Sequence, residues 1–469
     1  MKHRVLIVHP YIPARFNGAP VGLLYCASTA RAAGHEVRAV DLQADPDQTR
    51  FLEAMHEWRP TVLALSSTSP SFKAAVRLAE EAKAIDPSVI VVKGGVHETY
   101  CSEYTLAHVP EIDYCLRGEA DCTFPAFLDA VPDPDELGRV PGLTWRVDDD
   151  VVVNRPSVDP VHLDGLPYPA RELLGTSDYY DFAVFGGLRT TQVQTMRGCP
   201  FACHFCNQRR RNPSLRATES VVDELRYLRD AGYGAVFFDD PTFTVNRGRT
   251  EELVEAIGHA DLGMAFGCQT RSELVNTHLL ESMADVGFGY VSFGLETTNE
   301  QSLLAFGKTR SQTRHLQAAR DATSWCRSAG IRSCLTLIVG FPGETDDSVI
   351  DTFSTAAGLD PDFVSVSALA LYPHEDATIA DRYHEGVSEE PVWRSFDEGY
   401  GAIHPYLSAA RAAELLDLAM SILGPRLDLV DGPGAPSAGR SLHQRDQQAI
   451  GLVGGDRVLV GEVPDPTHV

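Results

Sequence analysis

Short runs of β-branched and aliphatic residues punctuate the first third of the chain: Val5–Val8, Val37–Leu42, Val62–Leu65, Val89–Val92 and Ile112–Leu116. Bounded apolar runs of this kind read as strands buried on both faces. Between the third and fourth, Ala75, Val76, Ala79, Ala82 and Ala84 fall among charged residues at helical spacing. Gly34, in Arg-Ala-Ala-Gly-His, is placed to end a helix, because glycine accepts the left-handed conformation found there. Strand and helix alternating at this spacing predict a parallel sheet with helices on both faces. Ligands of such sheets lie beyond the carboxyl ends of the strands. Those ends carry His9-Pro10, Ser66-Ser67-Thr68-Ser69, Gly94-Gly95 and Arg117-Gly118-Glu119.

The pattern then changes twice. Gly142–Pro156 reads as a hairpin around Asp148-Asp149-Asp150, and Leu163-Asp-Gly-Leu-Pro-Tyr-Pro-Ala-Arg171 as a proline-stiffened linker. A second alternating series follows, with strands expected at Thr190–Met196, Ala235–Phe238, Met264–Thr270, Gly289–Phe293, Arg332–Val339 and Phe363–Ala368. Val222, Leu225 and Leu228 mark one helix face between them, and Leu279, Met283 and Val286 another. Six strand–helix units predict a partial (β/α) barrel with its chemistry at the C-terminal ends of the strands. Beyond residue 385 the pattern weakens to an amphipathic helix over Ala409–Leu423, a Gly/Pro/Ser-rich stretch over Asp431–Arg440 and a hairpin over Val453–Val463. The fold class expected is therefore α/β in four parts. A doubly wound, Rossmann-like domain spans 1–134, a hairpin and linker 135–185, a partial (β/α)6 barrel 186–384, and a small C-terminal extension 385–469.

Composition narrows the classes. The chain has 469 residues, enough for two or three full cores, and its 43 % hydrophobic and 22 % charged residues are those of a globular protein. A formal net charge of −25 repels phosphate backbones and argues against nucleic acid. The dense basic spot Arg209-Arg210-Arg211 reads equally as a solvated loop or as part of the cysteine site just before it. Pro10 interrupts the N-terminal apolar run too soon for a signal peptide, and no run approaches membrane-spanning length. Seven of the ten cysteines are scattered (Cys26, Cys101, Cys115, Cys122, Cys268, Cys326 and Cys334) and read mostly as small core residues. A reducing cytoplasm is the expected compartment.

The other three cysteines are Cys199, Cys203 and Cys206 in Met-Arg-Gly-Cys-Pro-Phe-Ala-Cys-His-Phe-Cys-Asn, a C-x3-C-x2-C run directly after the first barrel strand. Three thiolates so close together hold three corners of one metal centre and leave the fourth without a local cysteine. That arrangement suits an iron–sulfur cluster with one open iron better than a closed structural zinc site or an electron-transfer cluster. The run resembles that of radical S-adenosylmethionine (SAM) enzymes. The resemblance implies a [4Fe–4S] cluster held by Cys199, Cys203 and Cys206, with the methionine end of SAM on the open iron. It also implies a set of SAM contacts along the barrel rim. Asp239 and Asp240, in Phe-Phe-Asp-Asp-Pro-Thr-Phe-Thr, resemble the segment that receives the methionine ammonium, which a carboxylate suits. Gln269 and Arg271 follow the third strand, where the sugar or carboxylate would lie. Glu296, in Gly294-Leu-Glu-Thr297, resembles the ribose segment, and Gly340, in Ile338-Val-Gly-Phe-Pro-Gly-Glu-Thr345, the adenine segment. Glu344 is there expected to cap the next helix.

The first third strengthens a narrower match. Pro20-Val-Gly-Leu-Leu-Tyr25, Arg31–Val37, Lys93-Gly-Gly-Val-His97 and Arg117-Gly-Glu119 resemble the cobalamin-binding domain that precedes many radical SAM barrels, and the linker Leu166-Pro-Tyr-Pro169 fits the same family. This implies cobalamin with its nucleotide tail passing Ser66, Ser67, Thr68, Gly94 and Gly95, small residues beside which a tail can run against the backbone. Two departures stand out. Corrinoid proteins that ligate cobalt from below carry Asp-x-His-x-x-Gly after the first strand. This chain has His9-Pro-Tyr-Ile-Pro-Ala, so His9 reads as a packing or hydrogen-bonding residue and the domain as one without a protein ligand or without cobalamin. After the sixth strand, where many relatives have Pro-Gly-Thr-Pro, the run is Leu371-Tyr-Pro-His-Glu-Asp-Ala-Thr378, whose His374, Glu375 and Asp376 face substrate or form a polar turn.

The resemblance covers about residues 3–370 and implies cobalamin-dependent methyl transfer to an unactivated carbon of a small metabolite or natural-product intermediate. A flavodoxin or ferredoxin would supply electrons, with no nucleic acid or membrane partner. The rival enzyme reading keeps the architecture without methylation: cyclisation, rearrangement, oxidation or transfer of another SAM fragment. A tRNA-modifying enzyme is disfavoured by the acidity, and a redox or cobalamin sensor by the full set of SAM-binding segments.

Overall fold

A computed structural model describes residues 2–11, 19–148, 150–156, 161–175, 183–209, 212–369 and 409–431. Arg210, Arg211, His374–Asp376 and the hairpin expected over Val453–Val463 lie outside the described residues.

The N-terminal sheet contains β1 (Arg4–His9), β2 (Glu36–Asp41), β3 (Val62–Ser66), β4 (Ile90–Gly94), β5 (Tyr114–Leu116), β6 (Leu143–Val147) and β7 (Asp150–Val153), in the order β2-β1-β3-β4-β5-β6-β7. The first five are parallel; β6 and β7 add antiparallel. The hairpin expected around Asp148 therefore extends this sheet. Its helices are α1 (Val21–Ala32), α2 (Thr49–Glu53), α3 (Phe72–Ile85), α4 (Val96–His108), α5 (Thr123–Ala130) and α6 (Pro134–Leu137). Successive β1 side chains feed opposite cores, as a strand buried on both faces requires. Val5 and Ile7 pack with α1 and α5 through Leu23, Ala27, Phe124 and Phe127. Leu6 and Val8 pack with α3 and α4 through Phe72, Leu78 and Leu106. Gly34, at φ +89°, ends α1 as its composition predicts. Because β1 lies between β2 and β3, the strand order reverses there, which is where open parallel sheets bind ligands.

The second sheet starts with β8 (Thr190–Val193); a ribbon of β9 (Met196–Arg197) and β10 (Ser214–Leu215) follows it. Helices α7 (Thr218–Asp230), α8 (Arg247–Ala260), α9 (Thr277–Asp285), α10 (Glu300–Ala305), α11 (Gln312–Ala329) and α12 (Asp346–Gly358) alternate with β11 (Ala235–Phe238), β12 (Ala265–Thr270), β13 (Phe288–Glu296), β14 (Arg332–Val339) and β15 (Phe363–Ala368). All pair in parallel. The C-terminal region supplies more than its weak pattern predicts. Its helix, Ala409–Leu423, packs Leu415, Ala419 and Leu423 into the barrel core, and β16 (Leu427–Asp431) adds a seventh parallel strand beside β15. Val184 and Phe185 pack with Ala235, Phe237 and Tyr290 at the strands' N-terminal ends; a Cβ on Gly267 would stand 2.9 Å from the Phe185 ring. Among the scattered cysteines, Cys101, Cys115, Cys268, Cys326 and Cys334 are buried, while Cys122 is exposed. No helix among the described residues is long and apolar enough to cross a membrane.

Buried ion pairs join the two sheets. Arg171, on the linker, donates to Thr191 Oγ1 at 3.0 Å and to the Gln192 carbonyl at 2.6 Å, and pairs with Glu224 at 2.9 Å. Arg197 reaches back to Asp121 of the N-terminal domain at 2.6 and 3.0 Å and lies over the Tyr25 ring. Both C-terminal strand ends consequently open on one space.

Candidate active site

The cysteine loop leaves β9 and returns through backbone bonds. Cys199 N–H donates to the Gln208 carbonyl at 2.8 Å, and Cys206 N–H to that of Cys203 at 3.1 Å. The loop is pinned to the far side of the barrel mouth: His204 N–H donates to the Phe306 carbonyl at 2.9 Å, and Phe205 packs on Phe306 and Phe341. Gly307, at φ +66°, lies so close that a Cβ there would stand 2.6 Å from the Ala202 carbonyl oxygen. The three thiols remain part-exposed. Burial pushes the Cys203 thiol up, and that of Cys206 up to about 11, so a metal centre must displace their protons.

The strand-end residues divide into two groups. Asp239 and Gln269 face a cavity of about 730 Å³ between the domains. Asp240 does not. It is fully buried and accepts from Thr195 N–H at 2.7 Å, Met196 N–H at 3.0 Å and Thr195 Oγ1 at 2.5 Å. Its carboxylate is therefore spent on the turn that launches the cysteine loop, and the expected ammonium contact narrows to Asp239. Burial, then the neighbouring Asp240, pushes Asp239 up to about 7.

Arg271 lies against the cysteine loop. Its guanidinium lies over the Phe201 ring, donates to the Lys308 carbonyl and comes within 3.6 Å of Cys203 Sγ. These contacts steady the cysteine loop. Glu296 pairs with Lys308 at 2.8 Å, in a backbone conformation (φ +66°) that side chains other than glycine seldom adopt. Glu344 does not cap α12, a task that falls to Thr345. Glu344 instead accepts from Gly340 N–H at 2.8 Å, Phe341 N–H at 3.0 Å and Thr297 Oγ1 at 3.1 Å, joining the ends of β13 and β14. Gly340 keeps its left-handed conformation at φ +93°.

On the N-terminal side, Ser66, Gly94 and Gly95 line the cavity. Ser67 and Thr68 sit behind them. Thr68 N–H donates to Ser71 Oγ at 3.0 Å, whereas Ser67 Oγ is buried without a partner among the described residues. Gly95 is at φ +102°, and a Cβ there would lie 2.4 Å from the Ser67 carbonyl oxygen. Beneath this edge, Lys93 and Glu98 form an ion pair with no exposure at all.

Several residues in or beside the cavity carry no signal that sequence reading used. Gln192 and Gln194 line it from the first barrel strand and the turn after it; polar residues in a buried strand were the available clue. Thr242 Oγ1 lies 3.4 Å from Cys199 Sγ, within a segment singled out for its aspartates alone. Lys308 has no local pattern.

Comparison with known proteins decides the family. The Radical SAM superfamily profile matches residues 193–356 and the B12 binding domain profile residues 12–128. An uncharacterized methyltransferase of Pyrococcus horikoshii is 30 % identical over 365 residues, 76 % of this chain and 77 % of that protein. The chain belongs to the radical SAM superfamily, in the branch that carries a B12-binding domain. Membership brings a [4Fe–4S] cluster and SAM to the barrel and cobalamin to the N-terminal domain. The anaerobic magnesium-protoporphyrin IX monomethyl ester cyclase of Rubrivivax gelatinosus is 27 % identical, covering 89 % of this chain and 76 % of that one. The radical SAM methyltransferase TsrM of Kitasatospora setae, solved with tryptophan and a SAM analogue, shares the fold. Its TM-score is 0.71 at 18 % identity, over 92 % of this chain and 91 % of that one.

The residues present fit these groups. Three thiols on one pinned loop are the donor set of a cluster with an open corner. Ser66, Gly94 and Gly95 face the cavity with short side chains or none, a wall against which a polar tail can lie close to the backbone.

Proposed function

We propose that this chain is a cobalamin-dependent radical SAM methyltransferase acting on an unactivated carbon of a small molecule. The observation that carries the reading is the shared cavity. The strand ends of the B12-binding domain, the margin of the cysteine loop (Gly198, Asn207, Gln208) and the barrel residues Asp239 and Gln269 all face it. When bound, the cluster supplies the electron for cleavage of SAM and the corrinoid supplies methyl-transfer chemistry.

The chain's own residues hold and shield these groups. Cys199, Cys203 and Cys206 hold the cluster, with Arg271 and the Phe205–Phe306–Phe341 rings fixing their loop and excluding water. Asp239 would meet the methionine ammonium as a carboxylate, its proton passing to solvent, since its raised value leaves it partly protonated near neutrality. Glu296, Gln269 and Gly340 line the path of the sugar and base. Ser66, Gly94 and Gly95 give the corrinoid tail room. The net charge of −25 favours a small substrate over nucleic acid. A flavodoxin or ferredoxin in the cytoplasm fits as electron donor.

Anaerobic reconstitution followed by product analysis tests the reading. Bound corrinoid and parallel release of deoxyadenosine and S-adenosylhomocysteine are expected. The cyclase relative supports a second reading, the same architecture without methylation. Deoxyadenosine without S-adenosylhomocysteine, from enzyme with its corrinoid bound, would select it. A protein that takes up no corrinoid would overturn the first reading and leave the second.

A further inference from the structure

The cysteine loop leaves the barrel and returns to it through a neck of two strands. Met196 and Arg197 pair with Leu215 and Ser214, and the Arg216 N–H donates to the Thr195 carbonyl at 2.9 Å. Arg249, in the first turn of α8, spans both strands of this neck. Its guanidinium donates to the Thr195 carbonyl at 3.0 Å, to Thr195 Oγ1 at 3.2 Å and to the Arg216 carbonyl at 3.0 and 3.3 Å. Asn246 fixes the start of the helix by accepting the Arg249 N–H at 3.2 Å. The Thr195 hydroxyl is shared, since it donates to Asp240 and accepts from Arg249. The end of β11 and the start of α8 thus grip the neck from two sides. Asp239, which faces the cavity, is the residue next to the first of these grips.

Stability is a weak account of this arginine. Arg249 forms no ion pair among the described residues, and burial outweighs the attraction of Asp240 and holds its pKa down. A cation withdrawn from water without a directly paired anion adds little to folding. What a guanidinium offers is five donors in one rigid plane, which fix the groups they reach in a single geometry. Here those groups are the two ends of one loop. The loop's other attachment, His204 to Phe306, lies across the barrel mouth. Held at the neck and on the far side alike, Cys199, Cys203 and Cys206 keep one distance from the strand ends. We propose that Arg249 is a positioning residue for SAM cleavage: by locking both ends of the cysteine loop to the start of α8, it sets the spacing between the cluster and the barrel rim that receives SAM. The inference rests on radical SAM chemistry in the barrel and needs neither corrinoid nor methyl transfer.

Electron paramagnetic resonance of the full-length, reconstituted and reduced protein, titrated with SAM, tests it. In the wild type the cluster signal should shift as SAM occupies the open iron. Arg249→Met should keep the wild-type iron content yet need about 10–100-fold more SAM for the same shift, the range typical when a supporting partner of a metal site is lost. Arg249→Lys, which can reach one carbonyl but cannot bridge both strands, should fall between the two. Thr195→Val removes the shared hydroxyl at nearly constant shape and should move the titration in the same direction. An Arg249→Met protein with a lowered melting temperature and a wild-type SAM titration would overturn the proposal, leaving the arginine a stabiliser of the fold alone. If that variant fails to fold or holds no iron, Arg249→Lys and Thr195→Val decide, and wild-type titrations in both overturn it. A wild-type cluster that ignores SAM would overturn the barrel chemistry above and this proposal with it.

Discussion

The two sheets make ligand sites in opposite ways. At the barrel's strand ends, side chains hold side chains and backbone. Asp240 is committed to Thr195 and Met196, Glu296 to Lys308, and Glu344 to Gly340, Phe341 and Thr297. At the N-terminal strand ends the site is made by removing side chains, at Ser66, Gly94 and Gly95, while the charged pair Lys93–Glu98 is sealed beneath. Polar groups fixed in advance suit a reaction in which charge and hydrogen move, because they need not reorganise during the step. A shaped, neutral edge suits a large cofactor held by area and backbone contact. The difference teaches that the cavity lies between a barrel wall braced from behind by polar contacts and an N-terminal wall with small residues at its strand ends.

Cys199→Ala gives the largest effect. Iron content and deoxyadenosine release should fall to background with corrinoid stoichiometry unchanged, as metal analysis and chromatography will read. Joint loss of both cofactors would mean that the walls are not independent. Next is Lys93→Met, which leaves Glu98 buried without its partner; urea unfolding should show a loss of about 3–5 kcal/mol. Adding Glu98→Leu should restore most of it, and a neutral single variant would remove the pair from the account of this wall. Gly95→Ala forces a Cβ to 2.4 Å from the Ser67 carbonyl oxygen. About 1–3 kcal/mol of strain follows, with lost corrinoid affinity by equilibrium dialysis and normal iron content. Unaltered corrinoid binding would show that the edge is not shaped by backbone approach.

The smallest effect is the pH response of Asp239. Its carboxyl titrates at about 7 folded, against an ordinary 3.8. Between these values the folded protein keeps a proton that the unfolded chain has released, so stability falls as pH rises through the window and levels off above it. Asp239→Asn removes that slope. In the cofactor-free protein the variant should gain melting temperature over wild type above about pH 7 and gain nothing below 3.8. A difference that does not vary with pH would sink the assignment.

The architecture was legible because strands buried on both faces write themselves as apolar runs: Arg332–Val339 and Phe363–Ala368 match β14 and β15 residue for residue. β16 was not, because Leu427–Asp431 includes an aspartate at either side of its apolar pair and follows a region of weak pattern. In the candidate site, residue type pointed to segments but not to which member faces the cavity. Asp239 and Asp240 are adjacent and alike; only strand alternation decides that one meets the cavity and the other the backbone of Thr195. The contacts of Arg271 and Glu344 were hidden for a related reason, since their partners (Lys308, Phe201, Thr297) arrive from distant parts of the chain. The hydrogen bond between His9 and Asp41 spans 32 residues and exists only because parallel pairing sets the two strand ends side by side.

The seventh barrel strand bears on how the protein is made. The N-terminal sheet is complete once Val153 has been synthesised, and it can fold while the rest is still on the ribosome. The barrel must wait for Leu427–Asp431, paired with a strand that ended at Ala368. Until then β15 offers an unpaired edge, open to pairing with another chain. A nascent or truncated chain ending before residue 427 should therefore depend on chaperones at the barrel while its first domain is already sound.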